Sequence, residues 1–189
     1  NIQIDSGGTL RYFRGDTRSV RVTNTLSGSG TLQFVGLATR APSSYHVTQA
    51  STFSGNTEVL SGARVWLTHH EGLGTGGIIK VKDNATLSIA VGDGNNVVND
   101  VEVQGVGWLE YVGQIGALRM VTGDLTGKIT MKGDTRFGAW FGERGIINSV
   151  IDDGGNGYSF QKWGVGRLTL TGANTYSGDT IVSGGQLML

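Results

Sequence analysis

The chain of 189 residues contains no cysteine, so neither a disulfide framework nor a thiolate metal site is open to it. It has one proline, Pro42, against 33 glycines, so its corners must come from glycine backbone rather than from proline-fixed φ. Net charge is also missing. Fifteen Lys and Arg balance fifteen Asp and Glu, and no basic patch or acidic tail suggests nucleic acid or a cationic partner. No apolar run approaches the roughly 20 residues of a helical membrane span. No charged-then-apolar leader opens the chain, and no window carries a convincing 3.6-residue period, so helix is expected to be minimal. Both Asn1-Ile2-Gln3-Ile4 and Gln186-Leu187-Met188-Leu189 read as strand, which is the expectation for a piece of a longer array.

What the chain does have is repetition. Gly28-Ser29-Gly30-Thr31-Leu32-Gln33-Phe34-Val35-Gly36 returns as Gly105-Val106-Gly107-Trp108-Leu109-Glu110-Tyr111-Val112-Gly113 and again as Gly164-Val165-Gly166-Arg167-Leu168-Thr169-Leu170-Thr171-Gly172. Between the glycines, apolar residues alternate with polar ones, the period-2 pattern of a strand with one buried face. A repeated unit that cannot bury its own apolar face must stack on its neighbours, which makes a solenoid.

The period is clearest in the middle of the chain. Thr57 and Val59, Ile79 and Val81, then Val101 and Val103 recur every 22 residues. Val65 and Leu67, Leu87 and Ile89, then Leu109 and Tyr111 follow the same step. Gly55, Gly77 and Asn99 precede the first strand of each unit, all residue types that tolerate a left-handed backbone, and Gly178 takes the matching place in the last unit. Glu58, Lys80 and Glu102 fall on one outward column, an alternating charge ladder with a spacing of about 4.8 Å. The whole chain is expected to form one β-helical segment, residues 1–189, of about eight rungs. The stretch 37–49, which holds Pro42, breaks the period and reads as a protruding loop.

The run from Gly166 to Leu189, with its Leu168-Thr169-Leu170 strand, Asn174-Thr175-Tyr176, Ser177-Gly178 and Thr180-Ile181-Val182, closely resembles the passenger-associated transport repeat of bacterial type V autotransporters. A degraded copy spans Gly28 to Gly36 and resumes at Thr52-Phe53-Ser54-Gly55-Asn56-Thr57-Glu58-Val59. The resemblance implies an all-β, right-handed parallel β-helix with about 22 residues per rung. It further implies a passenger exported through the outer membrane to the bacterial cell surface and tethered to an outer-membrane β-barrel absent from this chain. Passengers of this kind serve mostly in adhesion and aggregation, so the expected role is a stalk or adhesive surface, with the repeat supporting secretion. The expected partner is a host-cell surface protein or glycan, or another copy of the chain. The shared motif is structural and carries over no catalytic residue. A carbohydrate-active β-helix enzyme, a lyase or hydrolase, is the competing reading, and it requires acidic and basic residues converging from consecutive rungs; a self-associating module is a third.

Candidate contact residues are few. Arg14-Gly15-Asp16 is an integrin-recognition tripeptide at the corner between the first two units, where a tight turn would project its two charges apart. Trp66 and Trp108 fall at outward parity in their strands and are candidates for stacking on sugar rings or a partner surface, with Trp140, Phe141 and Trp163 as further aromatic candidates. His69-His70-Glu71 reads as a solvated turn rather than a metal site, because neighbours in an extended segment face opposite ways. Asp152-Asp153-Gly154-Gly155-Asn156-Gly157-Tyr158 resembles part of a calcium-binding nonapeptide repeat, but Ser159 stands where that repeat needs an aspartate. No metal, cofactor or catalytic residue is assigned.

Overall fold

Why these residues stack is visible in a computed structural model that describes residues 1–37, 43–110 and 112–189. No helix occurs among the described residues; the chain winds into about eight turns of a parallel β-solenoid spaced by about 22 residues. One column of strands runs through Thr9–Arg14, Thr31–Gly36, Asn56–Val59, Ile79–Val81, Val101–Gly105 and the first half of Ile129–Gly138. A second runs through Ser19–Val22, Ser43–Val47, Ala63–Leu67, Thr86–Ala90 and Leu118–Thr122 to the second half of Ile129–Gly138 and then Phe160–Trp163. A third closes the later turns through Asn96–Val97, Asp124–Leu125, Arg144–Ile147, Arg167–Leu170 and Gln186–Met188.

The alternation decides which side chains meet. Inward positions pile like on like: Leu32, Thr57 and Ile79 in one row, Val65, Leu87 and Leu118 in another, all buried. Aromatic rings extend the rows, with Phe34 5.4 Å from Tyr12 and 5.1 Å from Tyr45, and Phe137 meeting Phe160 edge-on at 4.9 Å. Parallel strands buried on one face and stacked in this way share one continuous core, so each turn depends on its neighbours.

The predicted column Thr57, Ile79, Val101 pairs residue for residue, and Glu58, Lys80 and Glu102 lie side by side on its outer face. The row continues downward through hydrogen bonds from Gln33 to Glu58 and from Arg11 to Gln33, both 2.8 Å. Gly55 and Gly77 do precede equivalent strands, but their backbones are not left-handed, and neither is that of Asn99. The constraint is space: a Cβ on Gly77 would sit 1.7 Å from the Gly55 carbonyl oxygen of the turn below. Asn99 fits the same row because its side chain turns to donate to the Gly77 carbonyl at 3.0 Å.

Two further expectations fail. Leu87 and Ile89 are followed in their column by Leu118 and Met120, not by Leu109, and Tyr111 lies outside the described residues. The chain leaves the turn after Gly105, makes a short antiparallel hairpin of Leu109–Glu110 with Gly113–Gln114, and only then rejoins the stack. The second glycine-bracketed phrase is therefore an excursion that borrows the rhythm of a strand. In the segment expected to protrude at 37–49, residues Ser43–Val47 are instead a buried strand of the second column, paired on both sides. Residues 38–42, Pro42 among them, lie outside the described residues.

Candidate functional site

The second column puts His46, Trp66, Ser88 and Arg119 in one outward row, with Ser44 and Arg64 beside it. Ser88 is small, so the long Arg119 side chain reaches over it and places its guanidinium 5.3 Å from the Trp66 ring. Arg64 approaches the same ring at 5.2 Å, and His46 stacks on it at 5.9 Å. Burial, together with the positive charge of Arg64 and Arg21, holds the His46 imidazole below its ordinary pKa.

The hairpin closes over this row. Glu110 points down from it and accepts from Arg64 Nη1 at 2.7 Å and from Arg119 Nη1 at 3.0 Å. Arg119 Nε then donates to Glu143 at 3.0 Å, and its Nη2 also binds Glu143, which makes a chain Arg64, Glu110, Arg119, Glu143 of alternating sign. Burial opposes the charge on Arg119, but its two carboxylate partners outweigh that and hold its pKa above the ordinary arginine value. Trp108 plugs the base of the hairpin, and its amide donates to Thr86 Oγ1 at 2.9 Å. Expected to face outward, Trp108 is only 2% exposed. The parity that predicted exposure belonged to a strand of the stack, and Trp108 sits in the excursion instead. Trp66 does face outward, though half-buried beneath its charged neighbours.

Arg14 and Asp16 flank Gly15 at the corner after Thr9–Arg14, but they do not project apart. Arg14 clasps Asp16 through two bonds of 2.7 and 2.8 Å, and this pairing holds the Asp16 carboxyl down to about 2. His69 and His70, expected to diverge, instead stack at 4.8 Å in a turn where His69 Nδ1 accepts from the Glu71 amide. Asp152 pairs with Lys128 at 2.7 Å. Asp153, 1% exposed, accepts from the amides of Gly155, Tyr158 and Ser177 and from the Ser177 hydroxyl. The carboxylate that resembled a calcium ligand is thus engaged by donors of its own chain.

The open aromatic surface lies on later turns. Trp140 and Trp163 stack at 5.6 Å, Arg136 lies 5.5 Å from the Trp163 ring, and Phe141 beside them is 84% exposed, with Val165 also exposed. The hairpin borders this surface, since a Cβ placed on Gly113 would lie 3.7 Å from the Trp163 ring. Arg64, Glu110, Arg119 and Glu143 were not legible as a group. Glu110 and Arg119 come together only because the chain departs from the period between them, and no spacing records that.

Residues 160–189 match the family described as Passenger-associated-transport-repeat. Over 106 residues the chain is 36% identical to an adhesin, the BmaC autotransporter of Brucella suis biovar 1 (strain 1330), a match covering 55% of this chain and 2% of that protein. No solved structure matches. The chain thus spans a small fraction of the length of the curated relative it resembles. The transport repeat at its C-terminal turns, the likeness to an autotransporter adhesin and the parallel β-solenoid together support a passenger domain of the type V autotransporter kind, a class exported through the outer membrane to the bacterial cell surface.

Proposed function

We propose that this segment is a non-enzymatic adhesive surface carried on a rigid stalk, and that its contacts are made by the open face of Trp140, Phe141, Trp163 and Val165. The observation that supports it is the exposed Phe141 beside a stacked tryptophan pair on a solenoid whose other large aromatics are mostly sequestered. Two stacked planar rings, with Arg136 alongside, suit stacking on a glycan or on the apolar surface of a host protein. The competing enzymatic reading calls for carboxylates free to move protons. The acidic and basic groups that converge here, Glu110 and Glu143 with Arg64 and Arg119, are instead spent on one another. The Arg14-Gly15-Asp16 corner serves recognition only once its internal clasp opens.

The test is binding of the folded chain to host cells and to a glycan panel, with self-association followed by sedimentation. Replacing the exposed Phe141 and Val165 by Ser leaves the core intact and is expected to weaken binding about tenfold or more. Unchanged binding by that variant would move the contact elsewhere, and a wild-type chain that binds neither cells, glycans nor itself would leave it a stalk alone.

A further inference from the structure

Among the described residues, each arginine withdrawn from solvent is paired with a carboxylate, except one. Arg14 holds Asp16, Arg64 holds Glu110, and Arg119 holds both Glu110 and Glu143. Arg136 is half-buried and has no acidic partner among the described residues. Its Nε donates to Gln161 Oε1 at 2.7 Å and its Nη1 to the Gln114 carbonyl at 2.6 Å. Neutral groups thus fix the guanidinium, while its Nη2 has no acceptor among the described residues. Burial acts on it unopposed and holds its pKa below the ordinary arginine value, where the carboxylates around Arg119 hold that one above. A part-buried cation without a counter-charge is destabilising, and an anion brought by a ligand relieves it.

Arg136 stands in a groove that is open as the chain is folded. The outward row Arg136, Gln161, Ile181 crosses three successive turns at the strand spacing of about 4.8 Å. With Val106, Asp134 and Ser159 it lines a depression of about 230 Å³. Gln161 Nε2 donates to Ser183 Oγ at 2.8 Å, which keeps its carbonyl turned to Arg136. Asp134 does not pair with Arg136. One of its oxygens accepts the Ser159 amide at 2.8 Å, and the other accepts nothing among the described residues. Val106 and Ile181, the latter 45% exposed, give the groove two apolar ends.

These groups select a ligand class. Arg136 calls for an anion, and its planar fork suits a carboxylate. Asp134 accepts hydrogen bonds only, so the same ligand must also donate, and further acidic groups beside Asp134 are repelled. A carboxylated sugar meets both demands on one ring and presents C–H faces to Val106 and Ile181, whereas an acidic peptide brings charge without hydroxyls. We propose that this groove binds a carboxylated sugar residue of a glycan, its carboxylate on Arg136 and a ring hydroxyl on Asp134. The proposal rests on reading this side of the solenoid as adhesive, since Arg136 adjoins the Trp163 ring, and it adds the ligand.

The experiment titrates the folded chain with a glucuronic-acid-containing oligosaccharide, with its carboxyl-reduced neutral counterpart and with a short glutamate peptide. Tryptophan fluorescence and the Trp163 indole N–H resonance follow the binding. Wild type is expected to bind the acidic sugar at least about tenfold tighter than the reduced one, with a shift of the Trp163 signal. Arg136→Gln should lose that advantage, and Arg136→Lys should recover part of it. Equal affinity for the two sugars, an advantage that survives Arg136→Gln, or a peptide bound as tightly as the acidic sugar each overturns the proposal. Should Arg136→Gln not fold, the wild-type chain decides. Raising salt from about 0.05 M to about 0.5 M must weaken the acidic sugar and spare the reduced one, and equal salt dependence overturns the proposal as well. Cell adhesion without the acid preference overturns it while leaving the Trp140, Phe141 and Trp163 face standing; acid preference in a chain that does not adhere to cells does the reverse.

Discussion

The Asp153 carboxylate of one turn accepts both the amide and the hydroxyl of Ser177, at 3.1 and 2.9 Å, and so fastens the transport repeat to the turn beneath it. Ser177 belongs to the Asn-Thr-Tyr-Ser-Gly stretch of the repeat, and Asn174 returns the tie by accepting the Ile151 amide at 3.0 Å. Burial works against the Asp153 charge, but the donors from Ser177, Gly155 and Tyr158 prevail and lower the carboxyl to about 2. A folded-state value below the ordinary one of 3.8 means that the charged aspartate stabilises the fold above about pH 4 and loses that contribution as pH falls towards 2. Asp153→Asn is therefore expected to lower the urea midpoint at neutral pH, with the gap to wild type closing between about pH 4 and pH 2. A gap independent of pH would show that the charge is not what holds the repeat.

Gly77 tests whether close approach or backbone freedom fixes the glycine column. Its backbone is not left-handed, so alanine meets no φ strain, but the added methyl lies 1.7 Å from the Gly55 oxygen. Gly77→Ala is expected to cost about 3 kcal/mol or more, whereas the same change at exposed Gly94, where a Cβ meets nothing within 4 Å but φ is +80°, costs only about 1 kcal/mol. Chemical denaturation of both variants separates the two causes.

The hairpin offers a sharper contrast, because two adjacent residues reverse the parity read from the sequence. Trp108→Ala removes a buried plug and is expected to cost about 3 to 5 kcal/mol. Leu109→Ser alters a side chain that is 54% exposed and should leave the thermal midpoint nearly unchanged. Had the 22-residue period held through this stretch, the two effects would be exchanged.

That reversal marks where the sequence was readable. The rows through Thr57, Ile79 and Val101 and through Val65 and Leu87 were legible because stacked turns demand the same residue type at the same phase, and a phase survives in one dimension. The fastening of Ser177 to Asp153 was not, because it joins an unremarkable serine to an acidic stretch that resembled a different motif. Nor was the cluster of Arg64, Glu110, Arg119 and Glu143, assembled by a hairpin that imitates a strand in composition while lying across the stack. Arg14-Gly15-Asp16 was legible as a corner but not as a closed clasp, since the tripeptide is the same whether its charges face outward or each other.

Lys162 carries the last prediction. It stands in an inward row between Phe137 and Val182, fully buried, and its ammonium donates to the carbonyls of Gly164 at 2.6 Å, Gly184 at 2.8 Å and Trp163 at 3.3 Å. These bonds tie Phe160–Trp163 to the turn that ends in Gly184, so the lysine staples the final turns from inside. Lys162→Met keeps the bulk but strips three carbonyls of their donor, and is expected to cost about 1 to 3 kcal/mol. Burial lowers the lysine below its ordinary value of 10.5, so in that interval the unfolded chain holds the proton more tightly than the folded one. Wild-type stability should therefore rise with pH until about 10.5, and the Met variant should lack that rise. Urea midpoints of the two chains between neutral pH and about pH 11 read the difference directly; parallel curves would mean that Lys162 keeps its proton as firmly in the core as in water.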